Sequence, residues 1–238
     1  MLAGNFDMKQ IAVLYHSFYQ LPHGSPEKIF NPLAAKSTVL VNSPNHNGKL
    51  HFEYSYQIQT TNKGKDIGGK LALIDLSLNM GLRVNYYILL HDKKSIHNPL
   101  GEIWRKKLFR IIEPEQIETI IRIFETDKKV GIVAAQEFIM NEYDRDTDNF
   151  SCTSHAILKE LIAKYNLKLN TYDFVGGTMF WIRAEIIERF FRKHSPLEIR
   201  ATLEQGNVLD TDKGTYTHAW ERMFSWIATD QQYTIKGI

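Results

Sequence analysis

VNYYILLHDKKS, residues 84–95, sets an apolar run directly against five polar residues, His91 to Ser95. Val84–Leu90 has the length and the aromatic and branched make-up of a buried strand. A strand that ends this abruptly delivers polar side chains to the edge of a sheet.

The rest of the chain places that strand in a series. IAVLY at 11–15 reads as a first buried strand, and STVLVNSP at 37–44 and HFEYSYQIQTT at 51–61 follow, the latter with alternating faces. Pro22, Gly24, Pro26 and Pro32 mark residues 20–35 as loop with at most a short helix. Ile67, Leu71, Ile74 and Leu78 recur at helical spacing, and Gly81 supplies a stop. Helices are expected at 104–112 and after Pro114, where Ile117, Ile120, Ile121 and Phe124 form an apolar stripe. VGIVAA at 130–135, TMFWI at 178–182 and YTIKGI at the C-terminus read as further strands. Helical patterns around Leu158–Tyr165, at 184–193 and at 216–229 separate them, and 141–153 is the most loop-like internal stretch. Strands divided by helices predict an α/β fold with a mostly parallel central sheet flanked by helices. Without a repeat or a linker, residues 1–238 read as a single domain. In such sheets ligands bind beyond the carboxyl ends of the strands, so chemistry is sought just after each one.

A content of 43% hydrophobic and 24% charged residues is that of a globular protein, and a net charge of +2 gives no global field for nucleic acid. Cys152 stands alone, which excludes an internal disulfide and cysteine-based zinc sites and suits a reducing, cytoplasmic setting. No basic start with a long apolar stretch marks a secretory signal, and no run reaches the ~18 apolar residues of a membrane span.

Four segments could carry chemistry. TTNKGKDIGGK, 60–70, puts lysines, glycines and Asp66 at a helix start, where free amides and the dipole favour an anion. It fits a P-loop from Gly64 to Gly69-Lys70 but has Leu71 where Ser or Thr would hold magnesium, and it follows the third strand, not the first. The plain alternative is a glycine-rich turn. In HDKKS, Lys93 and Lys94 beside His91 could neutralise a departing diphosphate, or they could be a solvated turn. Asp92 alone is a poor site for a hard cation. In YDFVGGTMFWIRAE, 172–185, Gly176-Gly177 suggests close approach of a ligand or backbone, Trp181 reads as sugar platform or core, and Arg183 as an anion contact or a surface arginine. In the last helix His218, Glu221, Arg222 and Ser225 share one face, which suits either general-base work or a solvent-facing stripe. WRKKLFRII at 104–112 could touch an anionic membrane surface, or be a core helix with a basic outer side.

Taken together, NKGKDIGG (62–69), LHDKKS (90–95) with Trp104-Arg105, GGTMFWIRAE (176–185) and GTYTHAWERMFSW (214–226) resemble, in that order, the rhamnan synthesis F family of polysaccharide glycosyltransferases. The resemblance runs from about Ile11 to the C-terminus. It departs from the family pattern at Asp92, where Thr is usual, at Lys213, where Asp is usual, and in a short stretch between Tyr19 and Ser37.

The resemblance implies a GT-A-like nucleotide-sugar fold that builds bacterial cell-surface polysaccharide with rhamnose or a related sugar. The donor would be dTDP- or UDP-linked and the acceptor a lipid-linked oligosaccharide, at or near the inner face of the cell membrane. Donor binding falls to Asn62, Lys63, Gly64, Lys65, Asp66, Gly68, Lys93 and Ser95. Lys94 and His91 would assist the leaving group, and HDKKS occupies the place where such folds carry a metal-binding Asp-x-Asp. No cofactor is firmly implied, and Mg or Mn stays open. The acceptor side would comprise Asp173, Gly176, Gly177, Thr178, Trp181, Arg183, His218 and Arg222. Glu221 is the expected base for an inverting displacement, with Glu204 and Asp173 as rivals. A non-catalytic sugar- or nucleotide-binding module of a polysaccharide assembly complex is the alternative.

Overall fold

In the computed structural model of the chain, residues 10–19, 33–45, 55–92, 101–206, 208 and 213–238 are described, Gly101 and Glu102 by backbone alone. Seven strands form the central sheet: β1 Ile11–His16, β2 Thr38–Asn42, β3 Tyr56–Ile58, β4 Tyr86–His91, β5 Val130–Ala134, β10 Phe180–Arg183 and β11 Thr234–Gly237. Their order is β11-β5-β10-β4-β1-β2-β3. Every neighbouring pair is parallel except those made by β10, which runs antiparallel to both β4 and β5. The expected α/β class with a mostly parallel sheet therefore holds. β1, β4 and β5 are buried along their whole length, as continuous apolar runs in a covered sheet should be.

The helices are α1 Lys65–Asn79, α2 Gly101–Phe109, α3 Pro114–Thr126, α4 His155–Tyr165, α5 Ala184–Phe191, α6 Pro196–Thr202 and α7 Tyr216–Asp230. Adjacent residues of β4 identify the two covered faces. Tyr86 stacks on Phe124 of α3 at 4.5 Å, whereas Tyr87 hydrogen-bonds Ser77 of α1 at 2.7 Å. Since successive strand residues point oppositely, α1 and α3 lie on opposite sides of the sheet. Among the described residues no helix is long and apolar enough to cross a membrane.

Residues 141–153, expected as loop, contain a hairpin of β7 Tyr143–Asp144 and β8 Asn149–Phe150, and β6 Ile139–Met140 pairs with β9 Phe174–Val175. Two-residue strands carry no readable alternation. The antiparallel course of β10 has a further consequence. Its first residues, not its last, stand at the edge where β1 and β4 end.

Candidate active site

The N-terminus of α1 is shaped by glycines. Gly64 (φ 71°) and Lys65 (φ 50°) are both left-handed and turn the chain into the helix. A Cβ on Gly69 would stand 2.0 Å from His16 Nδ1, so the bare backbone lets α1 lie against the last residue of β1. Gly64 donates to the carbonyl of Glu204 at 2.8 Å, and Gly206 donates to that of Asn62 at 3.1 Å. A bridge between Lys63 and Gln205 completes this clamp on the Asn62–Gly64 segment.

One turn into α1, Lys70 is fully buried. Its Nζ donates to Asp66 Oδ2 at 2.9 Å, to the Thr178 carbonyl at 2.9 Å and to Thr178 Oγ1 at 2.6 Å. His91 Nδ1 is 3.1 Å away. An ammonium can only donate, so Nδ1 accepts and the ring proton of His91 is assigned to Nε2. Thr178 Oγ1 in turn donates to Asp66 Oδ2 at 3.0 Å. Burial alone would raise the Asp66 pKa, but the Lys70 ammonium outweighs it and holds this carboxylate well below its usual range. His16, pushed down to about 4 by burial, is neutral beside them and shares a 3.2 Å contact with Asn42.

Thr178 reaches this cluster by a strained route. It has φ 47°, rare for a β-branched residue, directly after Gly177 at φ 79°. The same turn holds the next functional group, because the Gly177 amide donates to Glu221 Oε1 at 2.6 Å. Glu221 Oε2 accepts from Arg222 Nη1 at 2.6 Å, and Arg222 in turn grips both oxygens of Glu142, at 2.7 and 2.9 Å. Burial works against the Arg222 charge, but Glu142 and Glu221 outweigh it and raise the guanidinium pKa. The face of α7 read as catalytic or solvated is thus packed inward. Its Ser225 is buried and accepts from the Val175 amide at 3.0 Å.

Other expected site residues are placed as follows. His218 Nδ1 lies 2.6 Å from Thr215 Oγ1 at the cap of α7. Asp173 accepts from Asn141 Nδ2 at 2.7 Å. The Gly176 amide donates to the Phe138 carbonyl at 2.8 Å. Gly68 has the carbonyl of Lys63 where its Cβ would be. Lys93, Lys94 and Ser95 lie outside the described residues.

Two readings are corrected. Arg183 ends the antiparallel β10 and so stands at the far edge of the sheet. It donates to the carbonyls of Val130 and Phe124, both at 2.7 Å, and is no acceptor-side anion contact. Trp181 is fully buried with its indole N–H on the Ile111 carbonyl at 2.9 Å, so it is core and not a sugar platform. Glu204 caps α7, accepting from the Tyr216 and Thr217 amides at 2.7 and 2.9 Å. The P-loop reading also fails, since the lysine that would meet phosphate is sealed inside the Asp66–Thr178 cluster.

Asp92 is buried with both oxygens engaged, by the amides of Phe18 at 2.8 Å and Tyr19 at 2.7 Å and by the Ser17 hydroxyl at 3.3 Å. Burial pushes its pKa up to about 6 against those bonds. Among the described residues no three His, Cys, Asp or Glu side chains converge as metal ligands.

The profile of "Rhamnan synthesis protein F" matches residues 4–233. The chain belongs to the rhamnan synthesis protein F family. The resemblance carried by the four motif blocks is thereby borne out. Two relatives, both "Uncharacterized protein WxcX" of Xanthomonas campestris pv. campestris, are 25% identical (strain B100) and 24% identical (strain ATCC 33913) over 178 residues. Each alignment covers 74% of this chain and 24% of the relative, so this member of the family spans about a quarter of their length. The solved apo structure of the WbbM bifunctional glycosyltransferase is similar at 16% identity and a TM-score of 0.45, over 95% of this chain and 44% of that one.

Proposed function

We propose that this rhamnan synthesis F chain is a glycosyltransferase that moves a sugar from a nucleoside diphosphate onto a growing bacterial polysaccharide. The observation that supports this most is the Gly177–Thr178 turn. It holds Glu221 by an amide and the Asp66–Lys70 pair by a threonine, which ties a candidate base to a lysine-paired carboxylate at the carboxyl edge of the sheet. Family membership supplies the polymer chemistry.

In the proposed reaction the acceptor hydroxyl attacks the anomeric carbon and its proton passes to Glu221. The bond from that carbon to the phosphate oxygen breaks, and its electron pair leaves with the nucleoside diphosphate. A single base is enough for such a direct displacement, which inverts the centre. Lys93 and Lys94 neutralise the charge that grows on the leaving group, with His91 beside them. Asp66 accepts from a donor hydroxyl, and the clamped Asn62–Lys65 segment holds the nucleotide. Asp173, Gly176 and His218 border the acceptor. The donor is a dTDP- or UDP-linked rhamnose or related sugar, the acceptor a lipid-linked oligosaccharide at the inner face of the membrane, and no step runs through a metal.

The test is release of dTDP or UDP from a panel of nucleotide sugars in the presence of oligosaccharide acceptors, with and without EDTA. Release from at least one donor, indifferent to EDTA, is expected. Binding of a donor with no release from any would favour a non-catalytic module, and loss of release on chelation would overturn the metal-free route.

A further inference from the structure

Arg200, on α6, takes no part in the interactions assigned so far. Its Nη2 donates to the carbonyl and hydroxyl of Thr61, at 2.9 and 3.0 Å, just past the end of β3. Its Nε is buried and finds no acceptor among the described residues. Nor does any described carboxylate pair with it. Lys70, by contrast, has Asp66, and Arg222 has Glu142 and Glu221. Burial, with no opposing carboxylate, lowers the guanidinium pKa. A half-buried cation without a counter-ion is costly, and a bound anion would offset that cost.

The surroundings indicate which anion. Gly68, in the first turns of α1, brings the helix against Arg200; a Cβ there would stand 3.6 Å from Nε. Burial lowers His16, and the Arg200 charge adds to that effect, so both belong to the edge where β1 ends. Lys63 and Lys65 flank Gly64 on the adjoining segment. Asp66, next to Lys65 in sequence, is already bound to Lys70. A planar guanidinium fork with unused donors matches a phosphate better than a single point charge does.

We propose that Arg200 binds a phosphate of the nucleoside diphosphate at the donor site. This rests on the transferase reading for the identity of the ligand, though not for the existence of an anion site. The experiment is calorimetry of the whole chain with inorganic diphosphate, dTDP, UDP and thymidine. The variants are Arg200→Gln, Arg200→Lys and, as a control, Arg192→Gln, whose arginine is exposed and paired with Glu188. The wild type is expected to bind both nucleotides and inorganic diphosphate but not thymidine. Arg200→Gln should weaken the diphosphates about ten-fold or more, the scale of a lost charge-assisted hydrogen bond. Arg200→Lys should retain part of the affinity, and Arg192→Gln all of it. Wild-type affinity in a folded Arg200→Gln, or no diphosphate binding by the wild type, overturns the proposal. Diphosphate binding through Arg200 without turnover of any nucleotide sugar would instead overturn the transferase reading and leave the anion site standing.

Discussion

Lys70 donates to both oxygens of Thr178, the carbonyl at 2.9 Å and the hydroxyl at 2.6 Å, across 108 positions of sequence. That pairing pins a left-handed threonine to the first turns of α1, and the neighbouring Gly177 amide carries the constraint on to Glu221. Asp66 and Glu221 are joined through one turn.

Removing the ammonium exposes the cost of that arrangement. Lys70→Met leaves the Asp66 carboxylate without its counter-ion and should destabilise the chain by about 3 kcal/mol or more in urea unfolding, the range for breaking one partner of a buried pair. Adding Asp66→Asn should recover part of the loss. Equal stability of Lys70→Met and the wild type would refute the pairing.

Gly69 tests the approach of α1 to β1. Gly69→Ala drives a Cβ to 2.0 Å from His16 Nδ1 and should cost on the order of 1–3 kcal/mol. In a His16→Ala background the same substitution should be nearly neutral. An equal penalty in both backgrounds would place the strain elsewhere.

Gly177 tests the turn itself. Around a Cβ at Gly177 the nearest atoms are those of Leu108 at 3.6 Å, an ordinary contact, so the penalty is backbone strain at φ 79°. Gly177→Ala should lower stability by only about 1 kcal/mol yet reduce transfer more than ten-fold through a displaced Glu221. Unchanged kcat in the variant would separate the turn from the chemistry.

Asp92 gives a pH signature. Its folded pKa of about 6 lies above the ordinary 3.8, so the native state binds this proton more tightly than the unfolded chain. The stabilisation is complete below the unfolded value and disappears as pH rises through 6, a change of about 3 kcal/mol. Asp66 has the opposite sign. Its depressed pKa contributes stability above the ordinary carboxylate range that is lost as the pH falls. Asp92→Asn should therefore remove the decline in stability between pH 4 and 6, as followed by urea unfolding at each pH. A variant with the wild-type slope would contradict the assignment.

Much of this architecture was legible because the buried strands are continuous apolar runs and the helices carry clear stripes. Ile11–Tyr15 and Ile117–Phe124 needed nothing beyond their own pattern. Direction was not legible. Nothing in TMFWIR says that β10 runs against its neighbours, and that reversal moved Arg183 to the far edge and brought Gly177 and Thr178 to the site. Lys70 was invisible for another reason. As a lysine after Gly-Gly it reads as a helix-start cation, and its burial depends on Thr178, which no local pattern connects to it. The β7–β8 hairpin was hidden by its own shortness.

The central claim is that Glu221 serves as the base of a sugar transfer. Its most direct test compares nucleoside diphosphate release by the wild type and by Glu221→Gln, with the reactive donor and acceptor and with thermal melts of both proteins. Glutamine preserves an oxygen for the Gly177 amide and loses the acceptor for Arg222, which keeps Glu142, so the fold should persist while turnover falls about 100-fold or more, as for loss of a general base. Wild-type turnover in a folded Glu221→Gln would contradict the claim.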